Sequence, residues 1–122
     1  MDKSIRVYVA TPYGALRCSD NMRDYLAQNI AKEECAKIKR AGYEPVSAVL
    51  ELAGKFSEDT QRDEALEAGI ELLESCDHIY MSTHPDSKNS KGMSAELDRA
   101  RELGISELVL NKDGSAELVL GI

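Results

Sequence analysis

Apolar positions along the chain recur at two periods, every second residue in short runs and every third or fourth in longer ones. The change of period marks out strands and helices. The run Ile5-Arg6-Val7-Tyr8-Val9-Ala10 is rich in β-branched and aromatic residues and is broken by Thr11-Pro12-Tyr13-Gly14, so it reads as a strand. From about Asn21 to Ala41 the pattern is helical, with Tyr25, Ile30, Ala31, Cys35 and Ile38 along one stripe. Asp20 is placed to cap its start and Gly42 to end it in a left-handed turn. Tyr43 to Val46 is a short strand whose Pro45 assigns it to an edge or a strand end. Ser47 to Thr60 is the least regular stretch, with a short helix around Ala48 to Ala53 and a mobile loop from Gly54 onward.

A second long helix covers roughly Asp63 to Ser75 with Leu66, Ile70 and Leu73 inward, and Asp77 to Ser82 is the third strand. The polar loop Thr83 to Asn89 leads to a helix from Ser90 to Leu103. Glu107 to Leu110 and Glu117 to Leu120 flank an Asp-Gly turn, which predicts a terminal hairpin. The order βαβαβαββ implies an α/β fold: a small, mostly parallel sheet covered by helices, with an antiparallel edge.

Within the last helix the positions Met93, Glu96, Ala100 and Leu103 step by three and four, so Glu96 belongs to the inward stripe. A carboxylate there lies at the edge of the core, near the carboxyl end of a strand, where open α/β sheets hold their ligands. Burial of a carboxylate costs several kcal/mol unless it is paired or has a task. The competing reading is a glutamate that reaches out to Arg99 or Arg101. Ser90 is a good N-cap and Gly92 lets a ligand approach the backbone, so this helix start is a candidate anion site beside the Thr11 to Gly14 loop. The alternative is that Ser90 only caps the helix and Gly92 relieves crowding. Tyr8 points opposite to Val7 and Val9, as a core residue or as a partner for a buried group.

With 122 residues the chain is read as a single domain over 1–122, long enough for its own core. A net charge of −7 and a pI near 4.8 argue against a nucleic-acid polymer or an anionic membrane as partner, while leaving room for a single nucleotide. Cys18, Cys35 and Cys76 have no metal-type spacing, and Cys35 and Cys76 read as reduced core residues of a cytoplasmic protein. No metal or other cofactor is expected, and no segment approaches the ~20 apolar residues of a membrane span. Thr11-Pro12-Tyr13 and Ser82-Thr83-His84 stand where a phosphoacceptor receiver needs its acidic cluster and aspartate. The first loop also lacks the hydroxyl-and-glycine run that wraps a flavin phosphate.

Four pieces together resemble the nucleoside 2-deoxyribosyltransferase-like superfamily, especially its small bacterial and phage-associated branch. They are Val7-Tyr8-Val9-Ala10-Thr11-Pro12-Tyr13, Ala41-Gly42-Tyr43-Glu44-Pro45-Val46, Glu71-Leu72-Leu73-Glu74-Ser75-Cys76-Asp77 and Ser90-Lys91-Gly92-Met93-Ser94-Ala95-Glu96-Leu97. The resemblance implies a flavodoxin-like three-layer sandwich and chemistry at an N-glycosidic bond. It casts Glu96 as the nucleophile on the anomeric carbon and Tyr8 as the group that holds its carboxylate. Thr11, Pro12, Tyr13, Ser90 and Gly92 become substrate-binding residues, and a serine at 90 leans toward a 5′-monophosphate. It also implies a homo-oligomer. Relatives carry an aspartate about two helical turns before the position of Asp77, assisting departure of the base. Here that position is Gly69, and Asp63, Asp86 and His84 are the candidate substitutes. The expectation is a nucleotide or nucleoside N-glycosidase or 2-deoxyribosyltransferase; the alternative is a non-catalytic nucleotide-binding module on the same fold.

Overall fold

A computed structural model describes residues 5–13, 15–52 and 62–119, with the backbone alone at 20, 62 and 63. The strand β1 (Arg6–Ala10) pairs in parallel with β2 (Glu44–Val46) on one side and with β3 (His78–Met81) on the other. Both of its faces are covered, which is why Val7, Tyr8, Val9 and Ala10 are all buried and the strand reads as one apolar run. β4 (Ser106–Leu110) continues the parallel sheet beyond β3, and β5 (Ala116–Val119) returns antiparallel to it. The turn between them has Gly114 at φ +87°, and Asp113 accepts the Ser115 N–H at 2.9 Å. The strand order β2-β1-β3-β4-β5 is the flavodoxin-like one, with its switch point between β1 and β3. β2 is an edge, where the missing N–H of Pro45 is tolerated.

Helices cover the two faces unequally. On one face α1 (Asp20–Arg40) sets Ile38 against Val7, Val9, Tyr80 and Leu108. On the other, α3 (Arg62–Glu74) and α4 (Lys91–Leu103) set Leu73, Met93 and Ala100 against Tyr8, Ala10 and Ile79. A short α2 (Ala48–Glu51) follows β2, and a 3-10 turn (Pro85–Asn89) occupies the loop before α4. Alternation along β1 therefore sends Tyr8 to the α3/α4 face, and Val7 and Val9 to the α1 face. No helix of the described residues is long and apolar enough to cross a membrane.

Three local expectations are corrected. The N-cap of α1 is Ser19, whose side chain makes no capping bond and instead donates to Asn21 Oδ1 at 2.7 Å; Asp20 is the first helical residue. The inward stripe of α1 is Ala27, Ala31, Glu34 and Ile38, while Tyr25 is 63% exposed. In α3 the inward line is Gly69, Leu73 and, just past the helix, Cys76, and Leu66 is 38% exposed. Both helices are rotated from the line of largest apolar residues so that small ones, Ala27, Ala31 and Gly69, are among those buried. Cys76 is buried and Cys35 half-buried, and all three cysteines are free. The expected loop from Gly54 onward, along with Gly14 and Leu120, lies outside the described residues.

Candidate functional site

Tyr8 and Glu96 meet between β1 and α4. The Tyr8 hydroxyl donates a hydrogen bond to Glu96 Oε2, 88 residues away in sequence, and both side chains are buried. Glu96 reaches this position because α4 turns Met93, Glu96 and Ala100 inward. It is 8% exposed. Burial pushes its carboxyl up to about 7, and the Tyr8 hydrogen bond only partly opposes that. Burial and the neighbouring carboxylate together hold the Tyr8 phenol well above its ordinary value, so it keeps its proton. Arg99 bonds Glu74 at 2.8 Å and approaches Glu102 at 3.8 Å.

A stretch of backbone closes on the pair from α3. A Cβ built on Gly69 would lie 3.3 Å from the Tyr8 hydroxyl, 3.5 Å from the Ala48 Cβ and 3.6 Å from Glu96 Oε2. α3 thus approaches the pair at a residue with no side chain. The candidate substitutes for an acid at this point are engaged or outside view. Asp86 accepts the Arg17 backbone N–H at 3.2 Å and its Nε at 2.8 Å, and these contacts hold its carboxyl below the usual range despite its burial. His84 Nδ1 accepts the Asp86 N–H at 3.1 Å. The side chain of Asp63 lies outside the described residues.

The helix start is open. Ser90 is the N-cap of α4, its hydroxyl accepting the Met93 N–H at 3.2 Å. A Cβ on Gly92 would meet nothing closer than the Ser90 hydroxyl at 4.0 Å. Of the first three N–H groups of α4, Met93's is taken by Ser90, leaving those of Lys91 and Gly92 as the candidates to hold an anion. A cavity of about 340 Å³ lined by Lys88, Asn89, Ser90, Lys91, Ser94, Ala95 and Asp98 lies on the outer side of this turn, away from the face that carries Glu96. At the end of β1, Thr11 is buried with no hydrogen-bond partner for its hydroxyl. Pro12 is fully buried, so its ring sets the course of the loop. The half-buried Tyr13 donates from its hydroxyl to Asp24.

A second tyrosine–glutamate pair lies on the opposite face of the sheet and was not anticipated. Tyr80 donates to Glu34 Oε2 at 3.0 Å, and Lys37 bonds Oε1 at 2.6 Å. Burial alone would raise the Glu34 carboxyl, but hydrogen bonds from Lys37, Ser82 and Tyr80 bring it below its ordinary value. Its signal in the sequence was the step Ala27, Ala31, Glu34, Ile38, masked by the more apolar Cys35 next to it.

No curated protein matches the chain by sequence. In fold it is similar to the 2-deoxyribosyltransferase of the psychrotolerant bacterium Bacillus psychrosaccharolyticus, with a TM-score of 0.53 and 16% identity, over 84% of this chain and 69% of that one. A family model described as a domain of unknown function, DUF7768, matches residues 5–109, from the start of the central strand almost to the end of β4. With the whole Tyr8–Gly69–Glu96 arrangement inside that span, the chain belongs to the DUF7768 family.

Proposed function

We propose that this chain cleaves or exchanges the base–sugar bond of a nucleotide or nucleoside, as an N-glycosidase or 2-deoxyribosyltransferase with Glu96 as nucleophile. The observation that carries this reading is Glu96 itself, a buried carboxylate whose hydrogen-bond partner is the neutral phenol of Tyr8. Structural carboxylates in a core are normally matched by a cation, as Glu34 is by Lys37. Glu96 instead carries a raised carboxyl, the pattern of a group kept for chemistry. The likeness in fold to a 2-deoxyribosyltransferase supports the same chemical class.

In this mechanism the carboxylate attacks C1′ of the sugar while the C1′–N bond breaks. A glycosyl ester forms on Glu96, and water or a second base then takes the sugar and restores the carboxylate. Tyr8 fixes one carboxylate oxygen and leaves the other to attack. Ser90 and Gly92 present the α4 start to a 5′-phosphate, and the unpartnered Thr11 hydroxyl offers a hydrogen bond to the substrate. Pro12 and Tyr13 shape the loop beside it. A homo-oligomer is part of this proposal.

A second reading, a nucleotide-binding module without turnover, is favoured by Gly69. With no side chain there, position 69 has no proton to give a departing neutral base, and a stable nucleotide would be held intact. The test is incubation of the purified chain with nucleosides and 5′-monophosphates of neutral and cationic bases, with and without added free base. Chromatography would follow base release, with Glu96→Gln as control. Release or exchange that depends on Glu96 establishes the first reading. Saturable binding with no release from any of them establishes the second.

A further inference from the structure

We infer that the substrate is a nucleotide or nucleoside whose base already carries a positive charge, a pyridinium or a 7-alkylated purinium, because the wall over the Tyr8–Glu96 pair is the bare backbone of Gly69. This rests on the glycosidic reading above and narrows it to a substrate class.

The space decides what can stand at position 69. A Cβ there would press within 3.3 Å of the hydroxyl of Tyr8, a residue that is 1% exposed, so the ring or α3 would have to shift by a few tenths of an ångström. A glycine inside a helix costs roughly 1 kcal/mol against alanine, so its presence at the closest approach to the pair reflects that space. Among the described residues, the other candidate acids have tasks. Asp86 is held ionised by Arg17, and an ionised carboxylate has no proton to give. His84 accepts the Asp86 N–H at Nδ1 within its own turn, and no hydrogen bond joins it to the Tyr8–Glu96 pair. The proton of Tyr8 is committed to Glu96, and Glu96 must lose its own proton to attack. Glu34 lies on the far face of the sheet.

A neutral base leaves as an anion unless it is protonated, and a positioned acid contributes roughly 10²–10⁴-fold to such a step. A cationic base has no such need. As a Glu96 oxygen bonds to C1′, the electron pair of the C1′–N bond passes to the ring nitrogen and cancels its charge, so the base departs neutral without any proton moving. Water then adds at C1′, the Glu96–C1′ bond breaks to return the carboxylate, and the surplus proton goes to solvent. The same cation supplies the positive partner that Glu96 lacks. Its arrival lowers the carboxyl from about 7, so the substrate ionises its own nucleophile as it binds.

The test uses matched probes with the full chain. Guanosine 5′-monophosphate is compared with its 7-methyl counterpart, each also as the 2′-deoxy form, and nicotinamide mononucleotide serves as the pyridinium. Uncatalysed release is subtracted throughout. The expected result is a kcat/KM at least about 100-fold higher for the methylated member of each pair, matching the missing acid. With nicotinamide mononucleotide, whose pyridinium charge does not titrate, kcat/KM should rise through about pH 7 to a plateau, and Glu96→Gln should remove at least 99% of the release at the plateau (~100-fold). Cleavage of the unmethylated nucleotide within that 100-fold, or a falling limb at high pH, shows an acid at work and overturns this inference while leaving the glycosidic reading intact. No base released from any probe overturns both.

Discussion

Replacing Glu96 by glutamine isolates what burial of this carboxyl does to the fold. In the unfolded chain the group ionises near its ordinary 4.5, and in the folded protein at about 7. Below both values it is protonated in either state and has no effect. As pH rises from about 4.5 the unfolded chain releases its proton while the folded protein retains it, so stability falls. Above about 7 both states are ionised and the full penalty, ~3 kcal/mol, is present. Glutamine carries no such titration, and its oxygen still accepts the Tyr8 hydroxyl. Its buried amide N–H groups add an offset of about 1–3 kcal/mol that does not vary with pH. The assay is urea unfolding of both proteins from pH 4.5 to 8.5, comparing the difference in unfolding free energy between them. That difference should drift in favour of Glu96→Gln by ~3 kcal/mol across the range, most steeply between pH 5 and 7. Curves that stay parallel at every pH would mean Glu96 titrates alike in both states, and the argument from a strained carboxylate would collapse.

Other outcomes follow from the same contacts. Tyr8→Phe removes the one hydrogen bond that lowers the Glu96 carboxyl, so the pH midpoint of base release should move above about 7; an unchanged midpoint removes Tyr8 from the mechanism. Ser90→Ala should cost about 1 kcal/mol of stability through the lost cap, read by urea melts, and should raise KM more for 5′-monophosphates than for nucleosides. Glu34→Ala strands the Tyr80 hydroxyl on the other face and should cost ~1–3 kcal/mol in the same melts without shifting the pH midpoint of base release. Met22 and Tyr25 form an exposed apolar pair on α1, and light scattering should return a mass above the 13.4 kDa of one chain.

Most of the fold was legible because strand and helix periods are set by the backbone and survive any rotation of the element. The order of elements, the edge position of β2 and the terminal hairpin all follow from that. Which side of a helix faces inward was less secure. Tyr25 and Leu66 are large and apolar and drew the inward line toward themselves, yet α1 and α3 bury the small Ala27, Ala31 and Gly69. Close approach of a helix to a sheet selects small residues, and a hydrophobicity pattern gives those little weight. Glu96 was readable because its neighbours Met93 and Ala100 share its step, whereas Glu34 was hidden beside Cys35. The sequence placed Tyr8 on one face of its strand, but the 88-residue separation of Tyr8 from Glu96 leaves their contact to the fold.

The two buried glutamates also differ in what their own helices place three residues on. Glu34 is followed at that spacing by Lys37, which closes on it at 2.6 Å. Glu96 is followed at the same spacing by Arg99, a cation as capable as Lys37 of reaching back along a helix. Glu74, near the end of α3, holds that guanidinium at 2.8 Å. The arginine thus has a partner of its own on α3, and Glu96 keeps Tyr8 as its hydrogen-bond partner. In the proposed mechanism the nucleophile is left without a cation while Arg99 is held in an ion pair that Glu96 takes no part in, a contact that counts for little in stability.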